Sequence, residues 1–229
     1  MSNEATETTP QGNRSFDFNA LINESKETLM NPKGYFAGMK TTGGLAEPLI
    51  KAVIYGAVAG VFAFIWSLLN LNTVSGGMLG GAVGVMAFVY YIVAAVIGLF
   101  IGAVIILVIS AICKGSTDFE TNVRVSAALM VVMPVSALLG FAGGISIYLG
   151  VIISLLVNLF MLWLLYNALI ETLKAKADTV KIVSYVLVAL FVLMMISSIM
   201  TYRKANQFME GFKNSDFKEM MKDLEKETK

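Results

Sequence analysis

The stretch CKGSTDFETNVRVSAALMVVMP, residues 113–134, gathers a cysteine, two carboxylates, an arginine and a proline where a charged loop runs straight into an apolar segment. Two kinds of chemistry fit Asp118, Glu120 and Arg124. Ionisable groups in a membrane segment default to function, so one reading is an ion or substrate gate. The other is the hydrogen-bonded start of a helix. Thr117 and Glu120 have capping-box spacing: the threonine hydroxyl accepts from the Glu120 amide and the glutamate reaches back to the Thr117 amide. Asp118 and Glu120 would face the positive end of the helix dipole. Arg124, four residues after Glu120, is placed to pair with it and to snorkel toward the interface. Pro134 strips the Met130 carbonyl of its helical partner and predicts a kink. In lipid that carbonyl needs another donor. The structural reading accounts for every residue and is the expected one.

Little else in the chain could do chemistry. There is no histidine, and Cys113 is the single cysteine, so imidazole metal sites, histidine catalysis and an internal disulfide are excluded. No phosphate loop, metal-ligand cluster or nucleophile–base pair is visible, so no catalytic residue and no cofactor is expected. A formal charge of +1 offers no field for nucleic acid. Asn158 is the most central polar residue of any span and is expected to hydrogen-bond another helix. Asn167 and Glu171 follow it, so helix glue stands beside a polar path Asn158–Asn167–Glu171. No Asp, Glu, Lys or His falls in the middle of a span, where ion-coupled transporters usually need one.

The elements that position these residues are membrane helices. Of 229 residues 57% are hydrophobic and 14% charged, with mean hydropathy +0.74. No soluble core of this size hides so much apolar surface. The fold class expected is an all-α integral membrane protein of five transmembrane helices, with amphipathic surface helices at both ends. Residues 1–15 are polar and read as a disordered tail, and the first 45 residues hold no apolar region of the kind a cleavable signal needs, so none is expected. Residues 16–45 form an amphipathic interfacial segment: Phe18, Leu21, Ile22, Ser25 and Leu29 fall at helical spacing, Asn31-Pro32 stops them, and Tyr35, Phe36 and Met39 make a second stripe. Residues 46–202 hold the spans, about 49–69, 86–112, 119–139, 145–169 and 180–201, with Pro48 in the first turn of the first. The run 78–112 is read as one span preceded by a glycine-rich interfacial piece, because nothing at Tyr90-Tyr91 makes a turn. Residues 203–229 form a charged tail whose Phe217, Met220, Met221 and Leu224 cluster on one helical side.

Charge sets the expected orientation. Arg14, Lys26, Lys33, Lys40, Lys51, Lys114, Arg124, Lys174, Lys176 and Lys181 fall on one side of a five-span chain, and the loops at 70–77 and 140–144 hold no basic residue. The N-terminus is therefore expected in the cytoplasm. Small-residue pairs at four-residue spacing (Gly56/Gly60, Gly80/Gly84, Gly98/Gly102 and Gly140/Gly144) let helices approach closely. Packing within the chain is the plain reading; Gly56/Gly60 is the pair chosen as a homodimer face.

Three stretches together resemble the YIP domain family of polytopic membrane proteins, whose eukaryotic members interact with Ypt/Rab GTPases. LMNPKGYFAGM at 29–39, followed by EPLIKAVIYGAVAG at 47–60, is similar to the family's proline–phenylalanine segment and the proline opening its first span. CKGSTDFETNVRVSAALMVVMP places Gly115, Phe119 and Pro134 where the family has a glycine-rich loop, a phenylalanine and a span ending in proline. LYNALIETLKAKADTVKIVSYVL resembles the end of the fourth span and a basic loop entering the fifth. The resemblance covers about residues 29–200, carried by order and spacing. A double glycine common in the central loop is reduced here to Gly115, and Tyr166-Asn167 stand where many members have a glycine. The resemblance implies five spans and a cytoplasmic N-terminus. In eukaryotes it implies traffic between endoplasmic reticulum and Golgi, Rab-type GTPase binding and hetero-oligomers. The compact chain looks more like bacterial members, which implies the inner membrane.

The function expected is a non-enzymatic scaffold or adaptor that binds membrane lipids, other membrane proteins or itself. The alternative is a transporter or channel for a small solute or lipid, using Asn158 and the Pro134 kink.

Overall fold

A computed structural model describes residues 17–69, 71 and 80–201. The disordered-tail reading of 1–15, the C-terminal tail from 203 on and most of the loop 70–77 lie outside the described residues. Among these the fold is all helix, with no strand. Five helices are long and apolar enough to cross a membrane: Ala46–Leu68, Phe88–Ile112, Phe119–Ile145, Ile147–Thr172 and Ala177–Thr201.

Two short helices precede them. α1 (Phe18–Met30) starts at Asp17, whose carboxylate accepts from the amides of Asn19 and Ala20. α2 (Pro32–Gly38) follows at once. Asn31 closes the first and caps the second, its side chain accepting from the Gly34 amide. A residue before proline avoids the helical region, which is why the chain breaks here. Leu21, Thr28 and Phe36 are buried, so this layer lies against the bundle. The apolar stripe of α1 is nonetheless divided: Leu21 faces in, while Ile22 stays exposed.

The first span is α3 (Ala46–Leu68). α4 (Gly80–Ile112) is one continuous helix of 33 residues, with no turn at Tyr90-Tyr91. The glycine-rich start is helical from Gly80 and joins the span itself. The third span is α5 (Phe119–Leu129) and α6 (Val132–Leu138), extended by a 3-10 turn (Leu139–Phe141) and the short α7 (Ala142–Ile145). It breaks between α5 and α6. There the Met130 carbonyl, which Pro134 cannot serve, accepts instead from the Met133 amide at 2.9 Å. The fourth span is α8 (Ile147–Asn167) with a π-helical last turn, Ala168–Thr172. The fifth, α9 (Ala177–Thr201), leaves most of its surface uncovered.

α5 is the axle. Every residue from Thr121 to Leu129 is buried. Around it the chain ends fall into two groups. The segment before α3, the loop 113–118 and the loop 173–176 meet at one end. There Ser116 N donates to Leu173 O and Lys176 N to Cys113 O, each at 2.8 Å. At the other end the Trp66 indole donates to the Ala137 carbonyl, and Leu71 packs on Gly144. The loops richest in basic residues thus share one end.

The glycine pairs separate by surroundings. Gly56 and Gly60 are buried against α4: a Cβ at Gly56 would sit 2.7 Å from Ala95 Cβ and 2.9 Å from Tyr91 O, and one at Gly60 3.2 Å from Phe88 O. The homodimer face expected there is corrected, since this surface is already filled by the chain's own second span. Gly102 packs on Ser126, whereas Gly98 meets nothing within 4 Å and Gly140 only Trp66 at 3.9 Å. Gly80 and Gly84 lie at the start of α4.

Because backbone of α4 bounds the site, Gly56→Leu should force the first two spans apart and cost about 1–3 kcal/mol or more. Thermal unfolding of the purified protein checks this; an oligomer that dissociates while the melting temperature holds would restore the dimer reading.

Candidate functional site

The ionisable residues converge at the end where the basic loops meet. Arg124 leaves the buried face of α5 with its side chain only 5% exposed. It points at the start of α3 and the turn before it. Its Nη1 donates to Glu47 Oε2 at 3.1 Å, its Nε to Glu120 Oε1 at 3.3 Å, and its Nη2 to the Gly44 carbonyl at 2.9 Å. The same Glu120 carboxylate accepts from the Gly44 amide at 2.6 Å. Gly43 and Gly44 both have positive φ, 125° and 83°, a conformation that side chains resist. That turn lets one residue offer both its N–H and its C=O to α5.

A second cation extends the cluster. Lys51, one turn after Glu47 on α3, donates to Glu47 at 2.8 Å and to Glu24 of α1 at 2.5 Å. Beside it Ser25 and Tyr55 hydroxyls share a hydrogen bond of 2.8 Å. Burial pushes the Tyr35 phenol up to about 12, so it stays a neutral donor. Glu24, Glu47, Lys51 and Arg124 line a cleft of about 230 Å³. Both cations have carboxylate partners inside it. The arrangement is a clamp that fixes α1, the Gly43-Gly44 turn, α3 and α5 to one another.

The start of α5 is capped one residue later than the sequence suggested. The N-cap is Asp118, whose Oδ2 accepts from the Thr121 amide at 2.8 Å and the Thr121 hydroxyl at 2.6 Å. Those two bonds hold the Asp118 carboxyl below its ordinary value. The expected box between Thr117 and Glu120 is corrected: Glu120 is engaged with Gly44 and Arg124 and does not turn back. Arg124 pairs with Glu120 as expected but does not snorkel, being enclosed by the N-terminal segment. Asn122, also buried, donates to the Ser116 and Asp118 carbonyls at 3.3 and 2.7 Å.

The two loops lock under this cap. Lys114 and Lys174 close their helices in left-handed geometry, φ 58° and 53°. Gly115 lies so close to the facing loop that a Cβ would come within 2.9 Å of the Leu173 carbonyl. Burial raises the Cys113 thiol, which keeps it protonated and unreactive.

The residues of the fourth span do not join the clamp. The cross-helix bond expected of Asn158 is corrected: its Nδ2 reaches Ser154 Oγ of its own helix, at 3.5 Å, because a hollow stands opposite it. Asn167 donates to the Trp163 carbonyl at 2.7 Å, and Glu171 approaches the exposed Lys33 at 3.9 Å. The three form no continuous polar path. Sequence reasoning missed Lys51 and Glu24, counting Lys51 among loop charges. The signal was present: Glu47 and Lys51 are an i,i+4 pair inside the first turns of an apolar span.

A helical bundle with five membrane spans, closed at one end by an ion-paired N-terminal segment, defines a polytopic integral membrane protein. The Yip1 domain family matches residues 26–199, and the chain belongs to that family. Comparisons with curated proteins and with solved structures returned no match.

Arg124→Ala removes two ion pairs and the Gly44 bond but leaves half-exposed carboxylates, of which Glu47 keeps Lys51, and should cost about 1–3 kcal/mol. Unfolding of the purified variant checks this; a loss under 1 kcal/mol would show that the clamp contributes little to the fold.

Asp118→Ala should lower stability by about 0.5–2 kcal/mol and Thr117→Ala by much less, the reverse of a Thr117 cap. The folded Asp118 value is depressed, so its contribution is full above the ordinary 3.8 and lost as pH falls through the lower folded value. Melting curves from neutral to acid pH should therefore show the wild-type advantage over Asp118→Ala shrinking only below about 3.8. A constant gap across that range would reject the assignment.

Proposed function

We propose that this protein is a non-enzymatic membrane scaffold or adaptor that holds other membrane proteins or copies of itself. One observation carries the reading: α1 is fixed to the bundle through Glu24–Lys51, yet presents Ile22 and Met30 outward, 62% and 73% exposed. An apolar edge on an anchored surface helix is suited to docking a partner or lying on the bilayer. Glu24, Glu47, Lys51, Glu120 and Arg124 beside it are paired with one another, which supports a holding role over a reacting one. The gate reading loses support, since Glu120 and Arg124 bind each other and Asp118 caps α5.

The basic loops at the ion-paired end support a cytoplasmic side for that end and for the N-terminus. The membrane assigned is a bacterial inner membrane; in a eukaryote it would be endoplasmic reticulum or Golgi, with a Rab-type GTPase as partner.

A photoreactive residue at Ile22 or Met30 of the full chain in native membranes should capture a second membrane protein or a second copy. Ile22→Asp with Met30→Asp should cut that capture about fivefold or more, with the melting temperature kept. A protein that stays monomeric, captures nothing and moves a solute across liposomes would overturn the scaffold reading and favour transport.

A further inference from the structure

A large hollow lies among α3, α4, the third span, α8 and α9. It has a volume of about 770 Å³. A second hollow of about 450 Å³ shares Ser136, Gly140, Val157, Asn158 and Phe191 with it. The lining is apolar apart from a few groups, Ser126, Ser136 and Asn158 among them. Along α4 it touches residues from Tyr91 to Ile109. That stretch of helix is about 27 Å long, close to the about 30 Å of a bilayer's hydrocarbon core.

Length limits the occupant: the hollow runs most of the way through one hydrocarbon core. A single hydrocarbon chain does so, and the mostly apolar lining suits it.

Asn158 adds the chemical specificity. It stands near the middle of the fourth span, Ile147–Thr172, and lines both hollows. Among the described residues its amide makes one long bond, to Ser154. The group therefore has donors and an acceptor to offer where hydrocarbon has neither. A phospholipid keeps its charged head at the interface, and dragging it to this depth is costly.

We propose that this hollow binds one neutral lipid, a long chain bearing a hydroxyl or carbonyl that hydrogen-bonds Asn158 at mid-membrane. The site is independent of the scaffold reading: it concerns the half of the bundle remote from α1.

The test uses the purified full chain in phosphatidylcholine nanodiscs with a clickable diazirine derivative of hexadecanol. Labelling should map to Ser136–Gly140 and Val157–Met161. Unlabelled hexadecanol or 2-heptadecanone should compete, and hexadecane should not. Asn158→Leu should reduce labelling about fivefold. Gly98→Phe should do the same by filling the space, since a Cβ there meets nothing within 4 Å, and an unchanged melting temperature checks that the fold is kept. Labelling spread equally over the lipid-facing Ile97, Val104 and Val108 would overturn the proposal, leaving annular lipid only. So would labelling unchanged in Gly98→Phe, or hexadecane competing as well as hexadecanol.

Discussion

The guanidinium of Arg124 constrains the whole charged end of the molecule. A cation so enclosed is tolerated only with carboxylates at bonding distance, because an uncompensated buried charge costs several kcal/mol. Glu47 must therefore stand level with Arg124, which fixes the register of the first span against the third. Glu120 must lie one turn back on the same helix, and Gly44 must turn its carbonyl inward. The Gly43-Gly44 turn then dictates where α2 ends and α3 begins. Lys51 carries the constraint outward, since it shares Glu47 and draws Glu24, and with it α1, onto the bundle. A surface helix that would otherwise lie loose on the bilayer becomes part of the fold.

The remaining polar groups of α5 follow the same logic. Ser126 donates to the Leu99 carbonyl of α4, and Asn122 to the loop beneath the cap. The third span is central because it is the polar one: its side chains have backbone carbonyls on neighbouring segments to serve. Hydrogen bonds of this kind contribute roughly 1 kcal/mol each in membranes, so direction matters more than sum. They single out which neighbours α5 can have, where apolar packing alone would accept several.

How far this was legible depends on the range of each interaction. Span number and the continuity of α4 follow from local hydrophobicity and the missing turn residues, so sequence sufficed. Cap identity did not. Within TDFET, Thr117 and Glu120 satisfy one capping pattern and Asp118 and Thr121 another, one residue apart. Glu120's tie to Gly44, distant in sequence, decides between them. Gly56 and Gly60 announce a close approach but not whether the approaching helix belongs to the same chain. Depth alone placed Asn158 in the membrane core; what stood across from it, helix or hollow, is a matter of how α8 and α9 splay.

Charge and cavity occupy different parts of the bundle for a physical reason. Ion pairs need many converging segments to exclude water and supply partners, and three loops plus the N-terminal helices converge only at one end. Further along, α9 touches the core through Val183, Leu187 and Phe191 and then leaves its surface uncovered. The third span, broken at Met130, does not fill the gap. Lipid tails are as apolar as leucine, so little drives the helices together there. A hollow next to an ion-paired clamp is thus what this distribution of polar residues builds: one end made specific by charge, and one flank of the bundle left loosely packed.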